Sequence, residues 1–124
     1  MSRNPLAQLA DYGQSVWLDH LSRALVSSGE LARHMRDDAV VGVTSNPTIF
    51  EEALASGHDY DEQLRADTAN ARDPKALFER LAVRDGAAAC DVLRPVYDAT
   101  AARPAGRRDG FVSIEVDPTL AYDA

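Results

Sequence analysis

An α/β fold made of consecutive parallel βα units is what this sequence predicts, and three observations predict it. Short apolar runs alternate with longer stretches whose apolar residues recur at helical spacing, an order that neither a bundle nor a sandwich produces. Each short run leads into a polar residue: Asp19 after the first, Thr44 at the end of the second, Glu115 in the third. The chain has 124 residues, 45% hydrophobic and 27% charged, which allows one ordered domain at most and too little chain for a complete large enzyme.

The first run is Ser15-Val16-Trp17-Leu18-Asp19, apolar in its middle. From His20 to Val26 a helix is predicted with Leu21, Ala24 and Leu25 on one face, and Ser27-Ser28-Gly29-Glu30 then offers a turn. Leu31, His34 and Met35 mark the next helix, closed by Asp37-Asp38. The second run, Val40-Val41-Gly42-Val43-Thr44, is continuously apolar like a strand covered on both faces. Asn46-Pro47 reads as an N-cap with proline at the first helical position, where its missing N–H costs nothing. Ile49, Phe50, Ala53 and Leu54 supply the apolar face of that helix and Gly57 ends it. An amphipathic stretch runs from about Tyr60 to Ala71, and Asp73-Pro74 opens another helix carrying Leu77, Phe78 and Leu81. Its pattern pauses at Asp85-Gly86, resumes through Ala89, Val92, Leu93 and Val96 toward Ala102, and is broken by Arg103-Pro104-Ala105-Gly106. The third run is Phe111 to Val116, and Thr119 to Ala124 begins a further helix.

The predicted order is β-α-α-β-α-α-α-β. A (β/α)8 barrel of about 250 residues uses roughly 31 per unit, so this length corresponds to the N-terminal part of one, about three of eight strands. Asp19 and Thr44 are 25 residues apart and Thr44 and Glu115 are 71 apart, so the second interval has room for inserted helices. Residues 1–124 are then expected to be one portion of a single barrel domain, stopping after the third strand with two open sheet edges.

The balance of charge excludes other classes. With 13 Lys+Arg against 20 Asp+Glu the net charge is -7, against a phosphate-backbone binder, and no basic stripe with interleaved aromatics is present. Arg103, Arg107 and Arg108 read as a solvated connection. The single cysteine, Cys90, rules out an internal disulfide and a structural zinc site; within Ala-Ala-Ala-Cys it reads as a small core residue. A reduced, cytoplasmic setting is expected. The opening MSRNPLAQLADYGQS lacks the apolar run of a secretory signal, and no window approaches the roughly 18 apolar residues of a membrane span. Lys75 is the only lysine; the other basic residues are arginines, which do not act as amine nucleophiles.

In parallel α/β architectures the C-terminal strand ends converge on one mouth, where sites form. Asp19, Thr44-Ser45-Asn46 and Glu115 would bring two carboxylates, an amide and hydroxyls there, an acid/base pair with orienting hydrogen bonds. The alternative is that Asp19 and Asn46 only cap the helices that follow and Glu115 sits in solvent. Elsewhere, His58-Asp59-Tyr60-Asp61-Glu62 reads as a dipole-favoured solvated turn rather than a metal site. His20 falls near the strand ends, His34 reads as a partly buried packing residue, and Trp17 as packing between strand and helix layers.

At these residues the strings GQSVWLD, GVTSNPTIFEEA, YDEQL and DGFVSIEVDPTLAYDA resemble, in order and spacing, the N-terminal portion of the transaldolase family, from about Leu6 to the last residue. TSNPTIF and FVSIEV are its most specific pieces. The resemblance implies a (β/α)8 TIM barrel of the class I aldolase type, working in the non-oxidative pentose phosphate pathway. Such an enzyme moves a dihydroxyacetone unit from sedoheptulose 7-phosphate to glyceraldehyde 3-phosphate, through a Schiff base and without metal or organic cofactor. It further implies that Asp19 is the acid/base for the donor's C4 hydroxyl proton and that Asn46, supported by Thr44 and Ser45, binds the ketose. Glu115 would act with an ordered water in Schiff-base formation and hydrolysis. Sugar phosphates are the implied partners, with no nucleic acid or membrane.

The chain departs from the family in two respects, one of them that the phosphate-binding Ser/Arg segment expected in the later part of the barrel is missing. The Schiff-base lysine is expected on a fourth strand in an NIK-like segment, and these 124 residues contain no such strand. Lys75, at a helix start, is expected to lie far from any strand's C-terminal end, solvated and protonated. The 124 residues alone are thus expected to be inactive. Other readings stay open: part of another Schiff-base aldolase or of a fused transaldolase/isomerase, or a non-catalytic module that pairs its sheet edges with a second copy or with a missing C-terminal half.

Overall fold

The computed structural model describes residues 4–68, 73–102, 108–115 and 118–122. Three parallel strands, β1 (Val16–Leu18), β2 (Val40–Thr44) and β3 (Phe111–Ser113), form one sheet in chain order. The helices are α1 (Pro5–Gln8), α2 (Arg23–Ser27), α3 (Glu30–Asp37), α4 (Pro47–Ser56), α5 (Asp61–Thr68) and α6 (Pro74–Ala101). Two 3-10 turns, Leu9–Tyr12 and Pro118–Tyr122, complete the described residues. From β1 onward the element order is the predicted one. The α1 turn, capped by the Asn4 side chain on the Leu6 N–H at 2.9 Å, has no apolar periodicity to announce it.

β2 is the central strand, and its neighbours explain its composition. Val40 and Val43 join Leu21, Leu25, Leu31, Ala89 and Leu93 in the main core, with Val16, Leu18 and Val112 packed against it. Val40 and Val43 can both face the helices because the β1 register shifts between Val16 and Trp17, which pair with Val40 and Gly42. Trp17, Gly42 and Phe111 share a row across the sheet, as do Leu18, Val43 and Val112. Alternation therefore turns Trp17, Gly42, Thr44 and Ser113 away from the helical core. This corrects the expectation for Trp17: its ring lies over Gly42 on the open face, 36% exposed, and a Cβ at Gly42 would run into the indole.

A second core holds the inserted helices. Phe50, Tyr60 and Leu81 are buried together, with Ala53, Leu54, Leu64, Phe78 and Ala82 around them, so α4 and α5 dock on the first half of α6. Phe50 meets Tyr60 and Phe78 edge-on at 5.5 and 4.9 Å between ring centroids. The predicted pause at Asp85-Gly86 leaves the helix unbroken: α6 runs for 28 residues, with Pro95 inside it. At Gly86 the end of the Ile114 side chain occupies the direction a Cβ would take. Cys90 is also corrected: it lies on the exposed side of α6, while Ala89 beside it is fully buried.

At the N-terminal side of the sheet, the Thr100 hydroxyl accepts from the Asp109 N–H at 3.0 Å and Ser15 donates to the Asp109 carboxylate. Gly110 follows with φ of 85°, its N–H on the Val41 carbonyl at 2.7 Å and the Tyr97 backbone filling the Cβ direction, so only glycine fits. The helix breaker at 103–106 and Arg107 fall outside the described residues, as do the predicted strand end at Val116 and the last two residues of the final helix; Arg108 is exposed. No helix among the described residues is long and apolar enough to cross a membrane.

Candidate active site

Because the strands are parallel, their C-terminal ends lie at one edge of the sheet, and the three residues leaving β2 tie that edge together. Thr44, the last residue of β2, donates its hydroxyl to Asp19 Oδ1 at 2.5 Å, which fixes the carboxylate one residue past β1. Ser45 donates its backbone N–H to the Ser113 carbonyl at 2.8 Å, and its hydroxyl accepts the Glu115 N–H at 2.9 Å. The parallel ladder is thus carried beyond the strands, and the Glu115 backbone is held beside β2. Asn46 Oδ1 accepts the Thr48 N–H at 3.1 Å and its carbonyl accepts the Phe50 N–H at 3.0 Å, so Asn46 is the N-cap of α4.

The two alternatives for these residues therefore divide. Asn46 does cap its helix, with Oδ1 only; the Nδ2 donors take no part in the cap. Asp19 is not the cap of the helix that follows it: Ser22 is the N-cap of α2, its hydroxyl accepting the Leu25 N–H at 3.2 Å. His20 lies between them with Nε2 3.2 Å from Ser22 Oγ. Glu115 is exposed and lines a groove of about 660 Å³ with Pro47, Glu51, Lys75, Phe78 and Ile114 among others. The side chains brought into direct contact are Asp19 and Thr44; Glu115 joins through its backbone, and Asn46 through the chain continuing from Ser45.

Lys75 is exposed, as expected, yet it is not remote from a strand end, since it shares that groove with Glu115. The reason is topological: a helix that follows a parallel strand starts at that strand's C-terminal side. His58 pairs with Asp61 at 3.1 Å, and Asp61 and Glu62 occupy the first turn of α5, where their charge suits the helix dipole, but the expected solvated turn is corrected at Tyr60, whose ring is 1% exposed in the second core. His34 is half-buried and bonds Asp38 at 2.7 Å through Nδ1.

Directly behind the strand ends lies a polar cluster absent from the sequence-based candidates. Asp85, on α6 and 3% exposed, accepts Arg23 Nε at 2.9 Å and Nη2 at 2.8 Å on Oδ1, and the Tyr60 hydroxyl at 2.7 Å on Oδ2. The same hydroxyl accepts the Arg23 backbone N–H at 2.9 Å, and the Arg23 guanidinium sits over the Tyr60 ring, 4.4 Å from its centroid. Nη2 also reaches Gln63 Oε1 at 2.6 Å. Burial, then the bond to Asp85, raise the Tyr60 pKa above its ordinary value, so the phenol stays protonated and donates. One signal for this cluster is in the sequence: Leu81, Asp85, Ala89 and Leu93 recur every fourth residue, and a carboxylate in an apolar stripe must find partners.

A model of the family described as Transaldolase/Fructose-6-phosphate aldolase matches residues 16–124. Among curated proteins, Transaldolase 1 of Streptomyces coelicolor is 50% identical over 118 residues, covering 95% of this chain and 30% of the relative. Transaldolase 2 of Nostoc punctiforme is 43% identical over 123 residues, covering 99% of this chain and 31% of the relative. The transaldolase of Frankia alni is 47% identical over 121 residues, with 98% and 31% covered. The chain thus spans about 31% of the length of the curated relatives it matches. With three parallel strands, interleaved helices and a family match that runs from β1 to the last residue, the chain belongs to the transaldolase/fructose-6-phosphate aldolase family.

Proposed function

We propose that these residues form the first three strands of a transaldolase barrel, a single cytoplasmic domain in which they supply proton-transfer and ketose-binding groups. The reaction is transfer of a dihydroxyacetone unit between sugar phosphates, from sedoheptulose 7-phosphate to glyceraldehyde 3-phosphate, giving erythrose 4-phosphate and fructose 6-phosphate. The observation that carries the reading is Thr44-Ser45-Asn46, which links Asp19, the Glu115 backbone and the start of α4 at one sheet edge. In this mechanism Asp19, oriented by the Thr44 hydroxyl, takes the C4 hydroxyl proton as the C3–C4 bond of the donor breaks, and returns it when the acceptor adds. Asn46 donates Nδ2 to a hydroxyl of the bound ketose. Glu115 moves protons to and from the water that is lost when the Schiff base forms and consumed when it is hydrolysed.

The amine nucleophile is a lysine beyond residue 124, on the next strand. Lys75, although beside Glu115 in the groove, is an exposed residue in the first turn of α6 and not on a strand. The native-length protein, treated with borohydride and fructose 6-phosphate, should be labelled at a single lysine outside these 124 residues, and Lys75→Arg should retain activity. A label on Lys75, or no label at all, would sink the reading. Release of free dihydroxyacetone without an aldose acceptor would point to the aldolase branch of the family instead.

A further inference from the structure

Tyr60 takes no part in the proposed chemistry, yet it is tied to both segments that carry the proposed site groups. The loop from Asp19 to Arg23 is held at one end by Thr44 on Asp19 and at the other by the Tyr60 hydroxyl on the Arg23 N–H. Between those points Leu21 is 1% exposed and Ser22 caps α2, so the loop has little freedom of its own. On the other side Phe50, one turn after Asn46 and bonded to its carbonyl, sets its ring edge-on against the Tyr60 ring. Asp85 of α6 fixes the hydroxyl between them and also anchors the Arg23 side chain.

We propose that Tyr60 is a positioning residue that holds the Asp19 loop and the Asn46 end of α4 in one fixed arrangement. It sets the spacing of two groups it does not itself touch. The inference deepens the transaldolase reading and rests on it only for its kinetic readout. A phenylalanine at this position would keep the contact with Phe50, release the Arg23 N–H and leave Asp85 Oδ2 without its donor. The Asp19 loop would then be held at one end only.

The test uses the native-length protein carrying Tyr60→Phe. Amide hydrogen exchange at 20–25 and 48–51 should speed up about tenfold, while amides at 89–94 in the main core keep their rates. kcat should fall about tenfold with KM changed less than about twofold, the pattern of misplaced reacting groups rather than lost affinity. In an Asn46→Ala background the same substitution should cost less than about threefold, because the two act on one geometry. Leu93→Ala, which opens a cavity in the other core and lowers the melting temperature at least as far, should retain kcat well below its transition. If Tyr60→Phe does not fold, Asp85→Asn, which keeps an acceptor for Arg23, should show the same exchange pattern and a smaller kcat loss. An unchanged kcat, a loss no larger than that of Leu93→Ala, or exchange that rises evenly over all segments overturns the positioning role. An unsubstituted protein without transaldolase activity would overturn the functional reading instead, and the exchange pattern would still decide for or against Tyr60.

Discussion

Asp85 occupies a position of α6 where the spacing of Leu81, Ala89 and Leu93 would suit a leucine, and its carboxylate is tolerated because Arg23 and Tyr60 supply three donors. Tyr60 depends on the same arrangement, and its raised pKa carries a pH dependence whose sign follows from linkage. In the unfolded chain the phenol ionises near its ordinary value of 10.0, whereas the folded protein keeps the proton to higher pH. The contribution of the hydroxyl is therefore complete below pH 10 and is lost as pH rises from there toward the higher folded value, at up to about 1.4 kcal/mol per pH unit. Urea midpoints should fall between about pH 10 and pH 11, and the gap between the native protein and Tyr60→Phe should narrow over that window. A gap that widens, or that closes between pH 6 and 8, would mean that another group carries the effect. This cluster was hard to read from sequence because its members, Arg23, Tyr60 and Asp85, are 37 and 25 residues apart and each is ordinary in its own segment. Asp19, Thr44, Asn46 and Glu115 were legible because chain direction and strand polarity alone bring strand-end residues to one edge.

At the scale of elements, β2 and α4 share a junction that serves fold and proposed site together. Residues 40–44 were readable as a strand because a central parallel strand must be apolar throughout, and Asn46-Pro47 was readable as a helix start because both residue types favour it. Other features were not legible. The register shift beside Val16 depends on a partner strand, the contact of Gly86 with Ile114 on a strand-end residue 28 positions away, and the exposure of Cys90 on which side of α6 meets the sheet. The junction separates the two roles of Asn46. Asn46→Ala removes the cap and should cost about 1 kcal/mol, seen as a lower urea midpoint with unchanged m. Asn46→Asp keeps a capping oxygen at a helix N-terminus, so stability should be retained, yet it lacks the amide donors. If the ketose is bound through Nδ2, both variants of the native-length protein should lose activity by a similar factor, and only Ala should lose stability. Full activity in Asn46→Asp would leave Asn46 as a cap and nothing more.

For the whole molecule, the decisive feature is that one face of a three-stranded parallel sheet and both of its edge strands are uncovered among the described residues. Trp17 on that face is 36% exposed, and at the β3 edge Phe111 and Ile114, which pack on Tyr97 and Gly86 of α6, are still 40% and 39% exposed; the groove beside Ile114 is lined by Pro47 and Glu51 of α4 and by Lys75, Phe78 and Glu79 of α6. Parallel sheets are normally covered on both faces, and an open edge presents unpaired backbone groups to any neighbouring chain. Against association stands a net charge of -7, which makes copies of the chain repel one another at low ionic strength. The competition can be read from salt. The 124-residue chain produced alone should associate with rising concentration in sedimentation, and more strongly at about 0.5 M salt than at 0.05 M, because screening removes the repulsion and leaves apolar and edge contacts intact. Phe111→Lys, which puts a charge on the β3 edge, should shift the chain back toward monomer at both salts. Association that weakens with salt would mean that ion pairs rather than the sheet hold the copies together. A monomer at every concentration would mean that the open face is stable in water, and the argument that it is the inside of a larger barrel would lose its physical basis.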